Sequence, residues 1–139
     1  MKSQCLQGCR VFLVEDDFLI ADDFARRLAA TGAEVVGPAA TLESAMALYD
    51  AGGGIDFAIL DVNLRGVSVL PLASHLREQG VPFAFCTGYG DAVIGDDFGQ
   101  VRRFEKPLSQ YGFATLIDCI LDHYHVQAIG RGDGLRSPV

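Results

Sequence analysis

Four short apolar runs punctuate the chain: Val11–Val14, Val35–Val36, Phe57–Leu60 and Phe83–Cys86. The first, third and fourth are apolar at every position, the pattern of strands covered on both faces of a sheet. Val101–Phe104 is a weaker fifth run; Arg102 and Arg103 interrupt it, which suits a sheet edge. Between the runs the spacing becomes that of amphipathic helices. Phe24 and Leu28 mark a first helix ending at Gly32. Leu42, Ala45, Met46 and Tyr49 recur at i, i+3, i+4 and i+7 behind an N-cap at Thr41. Val69, Leu72, Ala73 and Leu76 repeat that spacing behind Ser68, with Pro71 in the first turn and Gly80 as a stop. Phe113, Leu116, Ile117, Ile120, Leu121 and Tyr124 form the clearest stripe, behind Ser109. Asp91–Gly99, with two glycines and three aspartates, has little helix propensity.

Strand then helix, five times over, predicts a (βα)5 α/β domain. Right-handed crossovers and the chain length favour a doubly wound parallel sheet of the flavodoxin-like kind, strand order 2-1-3-4-5. The 139 residues fit one domain, over residues 10–125, between an N-terminal extension at 1–9 and a flexible C-terminal tail at 126–139 that contains Gly130, Gly132, Gly134 and Pro138. Half the residues are hydrophobic and 21% are charged, a globular composition. The apolar runs are far shorter than the roughly 20 residues that span a bilayer, so no membrane association is expected. No secretory leader opens the sequence, which predicts a cytoplasmic protein. The net charge of −7 argues against nucleic acid as a partner and suits a protein that holds a cation. Of the four cysteines, Cys86 and Cys119 lie in apolar stretches and are expected in the core, while Cys5 and Cys9 lie near the N-terminus; no metal-binding spacing appears.

In an open α/β sheet, ligands bind outside the carboxyl ends of the strands. The first strand is followed by Glu15, Asp16 and Asp17; the third by Asp61, Val62 and Asn63; the fourth by Thr87; the fifth by Lys106–Pro107. Acids, a hydroxyl and an amine thus arrive at one rim from separate strand ends. Converging carboxylates repel one another unless a cation neutralises them. Hard oxygen donors with room for water suit Mg²⁺. Asp16 and Asp61 are the expected direct ligands, Glu15 acts through water, and the Asn63 backbone carbonyl completes the protein's share. Asp17 is better placed at the start of the first helix, where an acid complements the dipole. Beside such a metal, Asp61 is a nucleophile for a phosphoryl group, with Lys106 neutralising the phosphoryl oxygens and Thr87 donating a hydrogen bond to one of them.

With these residues in order, the sequence resembles the receiver domains of bacterial two-component response regulators from about Arg10 to Tyr124. The motifs that carry the resemblance are Val11-Phe12-Leu13-Val14-Glu15-Asp16-Asp17, Leu60-Asp61-Val62-Asn63-Leu64, Thr87-Gly88 and Glu105-Lys106-Pro107. The resemblance implies that Asp61 is the phosphoacceptor, supplied by a phosphohistidine on a sensor histidine kinase or a histidine phosphotransfer protein. It also implies a cis Lys106–Pro107 peptide. Phe85-Cys86-Thr87-Gly88-Tyr89-Gly90 resembles a subgroup of stand-alone receivers with a Phe-x-Thr-Gly signature and an unusual fourth βα segment. Most receivers carry an aromatic residue three positions before the lysine; here that position is Arg103, and Phe104 is expected to pack in the core. Ordering of Gly88–Gly99, with Tyr89 as the moving group, is the expected readout in place of an aromatic switch.

Two other functions compete with the switch. A Mg²⁺-dependent phosphatase working through an aspartyl phosphate needs an acid two residues after the nucleophile, and position 63 is Asn. A binding module that has abandoned phosphorylation is favoured only by Arg103, since the acid pair, Asp61 and Lys106 are all kept. The downstream protein target and homodimer formation stay open.

Overall fold

The computed structural model describes residues 5–88 and 96–130. The main sheet contains β1 (Arg10–Val14), β2 (Glu34–Ala39), β3 (Phe57–Asp61), β6 (Phe83–Thr87) and β7 (Arg103–Glu105). These strands lie in the order β2-β1-β3-β6-β7, and every neighbouring pair is parallel. Counting the strands of this sheet alone, that is the expected order 2-1-3-4-5. The α-helices are α1 (Phe18–Ala29), α2 (Leu42–Ala51), α3 (Leu70–Glu78) and α4 (Gln110–Gly130).

Strand alternation explains the uninterrupted apolar runs. Phe12, Val14, Leu60 and Phe85 face one layer, with Ala45 of α2 and Leu72 and Leu76 of α3. Val11, Leu13, Ile59, Ala84 and Phe104 face the other, with Phe24 and Leu28 of α1 and Leu116 and Ile120 of α4. A strand buried on both sides has no position to spare for a polar residue. Phe104 packs in the core as expected, and the Arg102 guanidinium lies over its ring at 5.1 Å. α2 opens on a capping box between Thr41 and Ser44.

Several boundaries differ from the sequence expectation. The segment expected to be an extension belongs to the fold over Cys5–Cys9: Leu6 and Cys9 are fully buried between α1 and α4. The Leu6 N–H donates to the Thr31 carbonyl and the Glu34 N–H donates to the Cys9 carbonyl, each at 2.8 Å. Three cysteines, Cys9, Cys86 and Cys119, are therefore buried rather than two. Helix α4 runs to Gly130, since no glycine or proline interrupts residues 113–129, so it takes in residues 126–130 of the expected tail; residues 131–139 lie outside the described ones. The last sheet strand is Arg103–Glu105, not Val101–Phe104, since Val101 lies in the turn that follows a short 3₁₀ segment at Asp96–Phe98. α3 is capped by Val69 without a side-chain bond, and Ser68 instead accepts from the Leu70 N–H at 3.1 Å. The fourth crossover contributes only that 3₁₀ segment among the described residues. The expected ordering of Gly88–Gly99 and the role of Tyr89 fall largely on residues 89–95, outside them.

Two local devices aim the strand ends. β2 passes through Gly37–Pro38, a cis peptide, and its register against β1 slips between Phe12 and Val14. Gly37 has φ +104°, and a Cβ there would sit 2.7 Å from the Leu13 carbonyl oxygen, so only glycine fits. The slip lets the Ala39 carbonyl accept from the Glu15 N–H at 2.9 Å. Beyond β3 the chain makes a small hairpin of β4 (Asn63–Leu64) and β5 (Val67–Ser68). Its two-residue tip, Arg65 and Gly66, has positive φ at both positions, as a type I′ turn requires.

Candidate functional site

The site begins with side-chain alternation. Val11 and Leu13 of β1 face the α1/α4 layer, so Glu15 continues toward that face; Phe57 and Ile59 do the same for Asp61, and Phe104 for Lys106. Three strand ends remote in sequence thereby meet. The Lys106 ammonium lies 3.0 Å from Glu15 Oε1 and 3.1 Å from Asp61 Oδ2. Asp61 is 2% exposed and Glu15 is 3% exposed. The Lys106–Pro107 peptide is cis, as the resemblance implied.

Around this buried triad the other acids take separate positions. Asp17 caps α1: its Oδ1 accepts from the Leu19 and Ile20 N–H groups at 3.0 and 3.1 Å, and its own N–H donates to Glu15 Oε2 at 3.1 Å. Both Glu15 oxygens thus already accept hydrogen bonds. Asp16 stands nearer the rim, with its Oδ2 3.6 Å from Arg65 Nε. One oxygen from each of Glu15, Asp16 and Asp61 lies within 4.8 Å of the others. The Asn63 N–H donates to Asp61 Oδ1 at 3.2 Å, while the Asn63 side chain accepts from the Gly66 N–H at 2.6 Å and closes the hairpin.

The electrostatics follow from this crowding. Burial foremost, then the Glu15 charge and the hydrogen bond with Asp16, push the Asp61 carboxyl up to about 7, against the opposing pull of Lys106. For Lys106, burial disfavours the charge, but hydrogen bonding to Glu15 and the nearby Asp61 outweigh it and hold the ammonium above its ordinary value. The site holds more negative charge than one lysine neutralises. Its donors are carboxylate oxygens, with no thiolate or imidazole among the three, and this set fits a hard divalent cation such as Mg²⁺.

A cavity of about 610 Å³ opens over the triad, lined by Glu15, Asp16, Asp61, Asn63 and Lys106 together with Arg65 and Gly66 of the hairpin. Five of the six site residues expected from sequence therefore share one wall. The sixth, Thr87, is buried at the end of β6 and accepts from the Lys106 N–H through its carbonyl at 2.9 Å, while its neighbour Gly88 reaches the lining. Arg65 is the charged lining residue that the sequence reading missed. The spacing of Asn63 and Gly66, turn formers on either side of it, was the available signal.

No protein-family model and no curated protein matches the chain. Among solved structures, SdrG from Sphingomonas melonis Fr1 is similar over 81% of this chain and 96% of its own, with 35% identity and a TM-score of 0.72. The receiver domain of HemR from Leptospira biflexa is similar at 25% identity over 82% of this chain and 94% of its own, with a TM-score of 0.67. The response regulator PhyR from Brucella abortus shares the fold at 23% identity, over 92% of this chain and 54% of its own, with a TM-score of 0.71. Sheet order, strand-end acids and these similarities together place the chain in the response regulator family, as a receiver domain.

Proposed function

We propose that this receiver is a phosphorylation switch in a two-component phosphorelay, with Asp61 as its phosphoacceptor. The observation that carries the reading is that the Lys106 ammonium lies about 3 Å from both Asp61 and Glu15 beneath a solvent-open cavity. An Asp61 carboxylate oxygen attacks the phosphorus of a phosphohistidine on a kinase or phosphotransfer partner. The P–N bond breaks as the new P–O bond forms, and the departing imidazole keeps the P–N electron pair and takes a proton from water. Lys106, already hydrogen-bonded to Asp61, neutralises charge on the transferred group, and the Thr87 hydroxyl donates to one of its oxygens. Asp16, Asp61, Glu15 through water and the Asn63 carbonyl would hold Mg²⁺, which when bound neutralises the phosphoryl oxygens.

The acyl phosphate changes the shape and charge of this rim and so the affinity for a downstream protein. SdrG, at 34% identity, has a solved BeF₃-activated conformation, and beryllofluoride is a chemical mimic of a phosphoryl group on a carboxylate. A turnover phosphatase is not favoured, because Asn63 has no acidic proton for a leaving group. Incubation with acetyl phosphate and Mg²⁺, followed by intact mass measurement, tests the proposal. One added phosphoryl mass is expected in the wild-type chain, and none in Asp61→Asn or with chelator. An equal adduct in Asp61→Asn would assign the chemistry elsewhere.

A further inference from the structure

Arg65 stands where turn chemistry argues against it. It is the one non-glycine residue with positive φ among the described residues, at +55°. Asn, Asp or Gly would fill this hairpin tip at lower conformational cost. Its side chain accounts for the choice. Arg65 Nε lies 3.6 Å from Asp16 Oδ2, and Nη2 donates to the Asp16 carbonyl oxygen at 3.2 Å. The hairpin therefore delivers a second cation to the cavity from the rim, while Lys106 holds Glu15 and Asp61 from below. Three carboxylates thus face two basic groups, and the two basic groups hold different acids.

This division has a consequence for any divalent cation that uses Asp16. The Arg65 guanidinium and the cation would seek the same Asp16 carboxylate. The Arg65 side chain is 77% exposed, against 16% for that of Asp16. An ion pair of that kind is weak and salt-screened, strong enough to compete and not to exclude.

We propose that Arg65 is a positioning residue that competes with Mg²⁺ for Asp16, holding this carboxylate in place in the metal-free site and lowering the site's affinity for the metal. The proposal rests on the Mg²⁺ reading of the same site. Calorimetric titration of the full chain with MgCl₂ at low ionic strength tests it. Arg65→Gln removes the charge and keeps a side chain at the positive-φ position; Arg65→Gly removes both; Arg65→Lys keeps the charge. Tightening of about three- to fivefold is expected in Arg65→Gln and Arg65→Gly, the scale of one exposed ion pair, with Arg65→Lys near the wild type. The gap closes as salt is raised. Should Arg65→Gln fold poorly, Arg65→Gly, whose turn is relaxed, carries the same comparison. Equal or weaker Mg²⁺ binding in the charge-removed variants overturns the role of Arg65 alone. Absence of Mg²⁺ binding in all four proteins overturns the metal reading with it.

Discussion

At the scale of single residues, Asp61 is subject to opposite demands. To act as a nucleophile it must be ionised, yet burial and two neighbouring acids push its carboxyl up to about 7. In the metal-free protein the folded form therefore binds a proton that the unfolded form, near the ordinary value of about 4, has released. Stability contributed by that proton is present at low pH and is lost as pH rises from about 4 through 7. Chemical denaturation in the presence of chelator should show stability falling across that window. Asp61→Asn should flatten the dependence and be the more stable protein at pH 8, by on the order of 2–4 kcal/mol. A wild-type profile that rises with pH over the same range would refute this account. The candidate site was legible in sequence because its members occupy strand ends, and strand periodicity alone sends Glu15, Asp61 and Lys106 to one face. Arg65 was not legible from periodicity, because its place depends on a hairpin whose strands are two residues each; only the turn formers Asn63 and Gly66 pointed to it.

At the scale of elements, the interior strands were readable because both faces are buried, and α2 and α4 because cap and stripe agreed. β2 was readable only in part. Its second half depends on the close approach of Gly37 to the Leu13 carbonyl, which no periodicity reports. Gly37→Ala should cost about 2–4 kcal/mol, combining positive-φ strain with a backbone clash. It should also weaken Mg²⁺ binding, since the register slip anchors Glu15 through the Ala39 carbonyl. Denaturant melts and a metal titration on the same sample would check both, and a neutral substitution would show that β2 relaxes without moving Glu15. The N-terminal segment was misjudged for a related reason. Leu6 and Cys9 are isolated apolar residues ahead of the first strand, and only tertiary packing between α1 and α4 reveals them as core. Leu6→Ala should destabilise by about 2–4 kcal/mol, as a fully buried leucine does, whereas a true appendage would lose almost nothing. Urea unfolding decides between these.

At the scale of the whole molecule, the sheet separates two apolar layers and brings its chemistry to one end. No helix among the described residues is long and apolar enough to cross a membrane. The acids, the amine and the hairpin cluster where β1, β3 and β7 end, so the site draws on strands at the centre and at the margin of the same sheet. That margin has its own consequence. Among the described residues β2 and β7 are the outer strands, and an outer strand is a template on which a second chain can polymerise. On β2, Pro38 has no N–H to offer a newcomer. On the opposite side β7 is three residues long, with exposed Arg103 and Glu105 flanking its single buried residue, Phe104. Arg103, where the sequence resemblance led to an aromatic ring being expected, thus puts a charge on this edge, which disfavours edge-to-edge pairing.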